Sequence, residues 1–573
     1  MAERTGGPER CRGRRVDPYA QCLAHLADAR RDRYLQQVRP GSDLDHRGVT
    51  LTESLLERLL EATRHPATGQ KLLGAARFDD ALFVDDANFD GVRFTKEAGF
   101  EGAVFRGAAR FVGADFHKDV GFERARFRSA QFRSAAFHSN AWFAQVSFTG
   151  DVRFDEVRFS GHARFGFARF SNAAFDGAQF IGGVDLQGAH FTGRAWFDGA
   201  RFKSAGRFGP LVCDEAVDLS HVTFEAPIVI EAAAKRIWCA ETEWSSRAHL
   251  RLRYATVDLS DAVLGFPLTI TSRSVPFPGR GGEDWSVDAL PEDAFVGRAE
   301  RVHIASLSGV DAAQVVLHDV DLTGCRLSGA LHLDGLRQEG ECSLAYPPTG
   351  MRPRRLLPVR WTRRRTLVEE HFWRAARGWH GWAAAPTGVE VVEPAALAAV
   401  YRQLRKSFED AKNEPDAADF YYGEMEMRRH DRKRPRAERV LLVLYWAVSG
   451  YGLRASRALG WLATAMAATV LVMMLWGVPK ADAGTQSTGT LTGHRISVRT
   501  GGDASAAPDG PLNQRVTSQR LDRSLRVVIN SVVFRSSSQD LTVVGTYAEM
   551  LSRIVEPALL GLAVLAARNR VKR

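Results

Sequence analysis

Glu549, Arg553 and Glu556 interrupt the run LTVVGTYAEMLSRIVEPALLGLAVLAA (541–567), whose second half is otherwise apolar. Their i, i+3 and i, i+4 spacing puts them on one helix face, where carboxylate and guanidinium can pair. Ionisable groups within hydrocarbon are costly, so such residues are candidates for handling ions or protons. The alternative for Glu556, which precedes Pro557 at mid-run, is a pair with Arg553 that holds a helix contact. A second candidate is the Arg-rich stretch 352–377, where Trp361 precedes Arg363, Arg364 and Arg365, with Trp373 and Trp379 close behind. Guanidinium and indole together suit a membrane surface. Nucleic acid is the disfavoured partner. The alternative is a cap face with its tryptophans packed on the end of a folded body.

No other pattern points to catalysis. No GxGxxG lies between a strand and a helix, and GxxxxGK[ST], HExxH and GxSxG do not occur. The six cysteines, Cys11, Cys22, Cys213, Cys239, Cys325 and Cys342, are scattered and read as having neither CxxC nor Cys/His metal spacing among them. They read as reduced intracellular thiols. His117, His138, His162 and His190 occupy outward polar positions. The expectation is therefore no cofactor, no metal and no enzyme. The charge of +10 over 573 residues suits an anionic membrane or nucleic acid without choosing between them. The opening MAERTGGPERCRGRRVDP lacks the apolar core of a secretion signal.

The elements that must carry these residues begin with a repeat. From Phe78 to Phe208 an aromatic recurs at steps of five or six, as at Phe154, Phe159 and Phe165, with Leu186 in one place. Ala or Val stands two residues before nearly every one, as at Val152, Val157 and Ala163. Neither helix nor strand has this period. It fits a coil of four short sides whose large and small residues point inward and stack coil upon coil at strand spacing. The pattern resembles the pentapeptide-repeat family, which implies a right-handed quadrilateral β-helix, a mainly β solenoid. It covers residues 74–208 without a break and continues in aliphatic form over 209–346. There Val217/Leu219, Ile228/Ile230, Val257/Leu259 and Val315/Leu317 keep the pairing, and Pro- and Gly-rich 271–300 reads as a loop bulging from the coils. Residues 1–73 read as a helical N-terminal cap. In it a helix runs from Asp17-Pro18 to about Val38, and another follows Thr52 with Leu55, Leu56, Leu59 and Leu60 on one face.

Residues 347–439 read as a basic linker and helical hairpin. Leu397, Tyr401, Leu404 and Phe408 make one face, Asn413-Glu414-Pro415 turns the chain, and the pair resembles one tetratricopeptide-like unit. Seven Arg or Lys against two acids fill 428–439. The membrane region is then 440–573: an interfacial helix 440–453, a transmembrane helix 458–478 of 21 uncharged residues, an external loop 479–540, and a second span 543–567. The loop opens Gly/Ser/Thr-rich and mobile, and contains amphipathic 521–534. Basic residues before the first span and in the terminal RNRVKR put the β-helix and both termini in the cytoplasm of a bacterium.

This layout resembles actinobacterial membrane-associated members of the family whose C-terminal module is channel-like. A potassium filter needs a TVGYG-like run. Thr542–Tyr547 is a partial echo of one, and Gly450-Tyr451-Gly452 lies before the first span, where its expected role is a turn. Some such proteins are described as membrane-associated oxidoreductases, but no redox motif accompanies the resemblance here. Other family members mimic DNA with an acidic rod, whereas basic and acidic residues nearly balance over 74–208. The expected function is a membrane-anchored cytoplasmic scaffold for an unknown protein partner, with homo-oligomerisation into a degenerate ion channel as the alternative.

Overall fold

The computed structural model describes residues 11–571 except 205, 280–288, 355–356, 480–486, 493–494, 501–510 and 534–540. Most of the opening segment and parts of the 271–300 loop and the 479–540 connection thus lie outside the described residues, as do the last two residues of RNRVKR. Two compact units meet in sequence at Val392/Glu393.

The first unit is a β-solenoid of about twelve turns between Leu72 and Glu339. Two-residue strands pair in parallel with their equivalents one coil on. Phe94 lies over Phe116, Phe116 over Phe137, and Phe137 over Phe159. Like therefore stacks on like every 21–22 residues, so four repeat units close one coil. Rings along a column are nearly parallel: Phe132, Phe154 and Phe175 are 4.9 Å apart at 4°. That separation equals the interstrand spacing, so each ring contacts the one above and below without straining the backbone ladder. The small residues Val152, Val157 and Ala163 are fully enclosed, as expected.

The coil corners explain why the repeat step alternates. The amide of Ala81 donates to the Phe78 carbonyl, Val92 to Phe89 and Ala103 to Phe100. In each of these turns the third residue is left-handed: Asp80, Gly91 and Gly102 have φ of 55°, 64° and 64°. The same corner recurs at Gly113, Arg124, Ser134, Gln145, Glu156 and Phe167. A β-turn with a left-handed third residue favours Gly, yet six of these nine positions carry side chains. The ladder on both sides holds them there against a local cost of about 1 kcal/mol each.

Coil pairing starts earlier than residue 74. Leu44–Asp45 pairs with Ala76–Arg77, and Thr50–Leu51 with Leu82–Phe83. Helix α2 (Glu53–Glu61) interrupts this first coil. Thr52 caps it by accepting from the Leu55 amide at 3.3 Å, and all four expected leucines are buried. The helix expected from Asp17 is corrected. A 3₁₀ turn (Leu23–His25) precedes α1 (Asp28–Gln37). The Arg31 guanidinium takes the carbonyls of Leu23, Ala24 and Leu26 that a continuous helix would have bonded itself.

In the first coil His46 occupies the large-residue position. Its ring lies 6.1 Å from Phe78 and it is fully buried. Burial holds its imidazole down at about 4, outweighing the opposing pull of Asp45. The unfolded chain therefore binds a proton that the folded one refuses between pH 6.5 and about 4, and stability falls as pH drops through that window. The expected loss is at most about 3 kcal/mol. His46→Phe extends the aromatic column and should flatten this slope in thermal melts taken from pH 7 to pH 4.5. A slope unchanged in the variant would assign the acid sensitivity to other groups.

The aliphatic coils stack as Ile230, Leu250, Ile270 and Leu317. The jump from Ile270 to Leu317 accommodates the insertion within one coil. Its described parts do not bulge away from the coils. Phe277, Leu290 and Phe295 are buried against Val212 and Ala233, with Phe295 stacked on Tyr254 at 4.8 Å.

The second unit is helical. Helices α4 (Pro394–Asp410) and α5 (Glu414–His430) form the expected hairpin, with Leu397, Tyr401, Leu404 and Phe408 all buried. Helices α6 (Arg436–Ser449), α7 (Ala455–Val472), α8 (Ser518–Val533) and α9 (Val543–Val571) follow. A π turn, Met473–Gly477, extends α7. Within the connection, Ser487–Thr492 and Arg495–Thr500 pair as an antiparallel hairpin where an irregular segment was expected.

Candidate functional sites

The Arg/Trp stretch closes the C-terminal end of the solenoid. Helix α3 (Val368–Ala376) brings the buried Glu369 carboxylate to the amides of Leu327 and Ser328, at 2.6 and 2.8 Å. These are donors that a following coil would otherwise pair. Burial pushes the Glu369 carboxyl above its ordinary range, and the Ser328 and Leu327 amides partly offset this. Arg364 is not at a membrane-facing surface. It is 4% exposed and binds both oxygens of Glu370, at 2.7 and 2.6 Å. Arg374 donates to the same carboxylate at 2.7 Å. The Arg374 guanidinium lies 4.5–4.8 Å from the rings of Trp379, Trp361 and Trp382. Trp361 stacks on Trp379 at 5.0 Å. Arg365 is half-buried, and only Arg363 of the three is exposed, over Tyr346. Of the residues read as a lipid-facing strip, Arg364 thus joins an interior cluster with Arg374 and the tryptophans, because Glu369 and Glu370 draw the arginine-rich segment onto the solenoid end. His371, buried against Trp382, is held at about 4 by that burial and shares the pH window of His46.

At the insertion, Arg253 is 1% exposed. It pairs with Glu292 at 3.0 Å and donates to the Arg273 carbonyl and the Tyr254 hydroxyl. This arrangement clamps both described ends of the insertion.

The charged helix α9 makes one of the expected pairs and not the other. Arg553 binds Glu549 at 2.7 Å, one turn away. Glu556 turns instead to Thr469 of α7, whose hydroxyl lies 2.7 Å from its Oε1. The two helices run antiparallel, with Gly477 and Gly545 in backbone contact at one end, where a Cβ on Gly545 would collide with the Gly477 backbone. The run Thr542–Tyr547, a partial echo of a filter in sequence, is not filter-like in structure. Thr542 caps α9, accepting from the Gly545 amide at 3.1 Å and donating to the Trp476 carbonyl at 2.6 Å. Val543 onward is helical, so its carbonyls are committed to helix bonds and cannot replace an ion's water shell. Arg515 and Arg520 of the connection bind the carbonyls of Leu475, Met474 and Val478 at the end of α7.

Gly450-Tyr451-Gly452 makes the expected turn between α6 and α7. All three residues are left-handed, at φ 55°, 59° and 72°. Tyr451 is buried and donates to Glu426 at 3.1 Å, and burial beside that carboxylate pushes its phenol up.

Two clusters escaped the sequence reading. His117 and His138, on adjacent coils, stack at 4.9 Å and share Asp115, at 3.2 and 2.8 Å. Arg93 also binds Asp115, at 3.0 Å, so the carboxylate is already neutralised. The only sequence signal was the coil period separating the two histidines. The other cluster joins Cys11, Cys22 and His25. Its signal was Cys22-Leu-Ala-His25, a Cys/His pair three apart that a search for CxxC passes over.

Comparison with family models matches pentapeptide repeats (9 copies) over residues 100–147, 111–158, 122–169 and 168–209. No curated protein and no solved structure matches the chain. The matched residues are the Phe columns themselves, with their small partners and left-handed corners. Residues 100–209 are thus pentapeptide repeats, and they form part of the β-solenoid.

Proposed function

We propose that the protein is a membrane-anchored scaffold whose solenoid presents an interaction surface in the bacterial cytoplasm. The observation that carries this is the uncovered apolar surface of two helices long enough to cross a bilayer, Ala455–Gly477 and Val543–Arg568. Leu459, Trp461, Leu471, Val544, Tyr547, Leu551, Ile554 and Val564 are each half or more exposed. In water such a surface is a liability; in lipid it is the expected face of a helical hairpin. The internal contacts fit the same setting, since small residues meet where the helices cross and a polar bond, Thr469–Glu556, faces inward. Arginines and lysines over 428–439 and at the C-terminus support cytoplasmic ends. The solenoid's surface carries both charge signs, which suits a protein partner better than nucleic acid. The helical start of α9 withdraws the sequence support for a conducting filter.

Alkaline carbonate extraction of membranes from cells making the full-length chain is the test. The chain should stay in the pellet, and a chain ending at residue 439 should move to the supernatant. Full-length protein released by carbonate would overturn the anchor.

A further inference from the structure

We propose that Cys11, Cys22 and His25 bind a thiophilic divalent cation of the zinc class, and that this ion latches the N-terminal arm to the open end of the solenoid. Cys22 immediately precedes the 3₁₀ turn and His25 ends it. Residues three apart in such a turn project from the same side. Cys11 arrives from the antiparallel arm, which is joined to this turn by the Arg15/Cys22 bridge. Cys11 Sγ lies 3.4 Å from Cys22 Sγ, and Cys22 Sγ lies 3.1 Å from His25 Nδ1. All three ligand atoms fall within 4.8 Å of one another. Tetrahedral zinc with its usual bond lengths separates two sulfurs by about 3.8 Å and sulfur from nitrogen by about 3.5 Å. The Cys11–Cys22 and Cys22–His25 separations are therefore each a few tenths of an ångström short of the tetrahedral values.

The surroundings are built for this convergence. Gly13 donates its amide to Cys11 Sγ at 3.4 Å, which fixes the position of that sulfur. A Cβ on Gly13 would stand 2.9 Å from Cys22 Cβ, so only glycine lets the arm lie this close. Arg31 fixes the carbonyls of Ala24 and Leu26 on either side of His25. Cys11 and His25 are exposed, which gives an ion access, while Cys22 is buried. Water or one further donor completes the fourth position. The arm is tied to the first coil by the Arg14 amide, which donates to the Arg47 carbonyl at 2.7 Å. The ion would thus hold this edge-covering segment in place. The Asp115/His117/His138 cluster makes a poorer site, because Arg93 already occupies its carboxylate.

Full-length chain in detergent, reduced and freed of metal with a chelator, is titrated with Co(II) alone. The expected result is a thiolate-to-cobalt charge-transfer band in the near ultraviolet, with visible bands of a tetrahedral centre. Both should saturate at one ion per chain and be displaced by Zn(II). Cys11→Ser, at an exposed position, and His25→Ala should weaken binding at least tenfold while leaving the circular dichroism unchanged. His138→Ala should bind as the parent does. A missing charge-transfer band overturns the site, as does a band that survives Cys11→Ser. A Cys11–Cys22 disulfide in freshly purified, metal-free protein also overturns it and makes the cluster a redox pair.

Discussion

Glu370→Ala should destabilise the C-terminal cap by about 3–5 kcal/mol, the usual cost of removing one partner from a buried ion pair. The effect should sit at the upper end, because Glu370 serves two guanidiniums. Arg364 and Arg374 are 4% and 1% exposed, and both bind the same fully enclosed carboxylate. Without it, two cations face each other away from water. The aromatic faces around Arg374 attract that guanidinium but do not replace the lost acceptors. Glu370→Gln keeps the shape and one acceptor oxygen, and should cost less. Replacing Arg364, Glu370 and Arg374 together by Met, Leu and Met should recover much of the loss, because no uncompensated charge then remains. Hydrogen exchange is the measurement. Amides of residues 366–376 should exchange faster in Glu370→Ala, and those of Leu327 and Ser328 with them, since Glu369 on the same helix accepts from both. If only residues 366–376 respond, α3 is a passenger and not a cap.

Phe154→Ala should cost a further order of about 3–5 kcal/mol, here by cavity formation. Phe154 is fully buried between Phe132 and Phe175 in its own column. It also meets Phe143 and Phe165 edge-on at 5.5 and 5.6 Å. The void cannot collapse, because the coils above and below are held at fixed spacing by ladder bonds such as Phe154 N–H to the Ala174 carbonyl at 2.7 Å. Each coil contacts only its neighbours, so the loss should be local. Exchange should rise over about 130–180 and little at the caps, and the melting transition should broaden or split. Phe154→Leu should be far milder, since Leu186 already fills one column place at 1% exposure. A uniform rise in exchange along the rod would show that it unfolds as one unit.

The solenoid was legible because its code is redundant. Each Phe and each small partner states the same inward direction, and dozens of repetitions outvote any exception. The α2 cap was legible for a local reason, Thr52 set before four leucines on one face. The Gly450–Gly452 turn could be read from two glycines flanking a tyrosine between apolar stretches. The hairpin of α7 and α9 was legible as two apolar lengths, but not in its contacts. Glu556 could be expected to choose Arg553 from spacing along one helix, yet the neighbouring helix supplies Thr469 at hydrogen-bond distance and Glu549 takes the arginine.

Sequence alone determined the coil period, the inward residues and the places where the pattern stops, since these depend on residue type at a fixed short separation. Tertiary structure decided whatever depends on residues meeting from distant positions. Stacked coils force Arg124, Glu156 and Phe167 into left-handed corners that their side chains disfavour. The exposed end of the last coil draws in Glu369, and with it turns an arginine-tryptophan run from an apparent surface into a core. A close-packed turn gathers Cys11, Cys22 and His25 across a separation that no short motif spans. Local propensity acts over a few residues, whereas burial and hydrogen-bond satisfaction act between any groups the fold brings together, and for those only the assembled chain holds the answer.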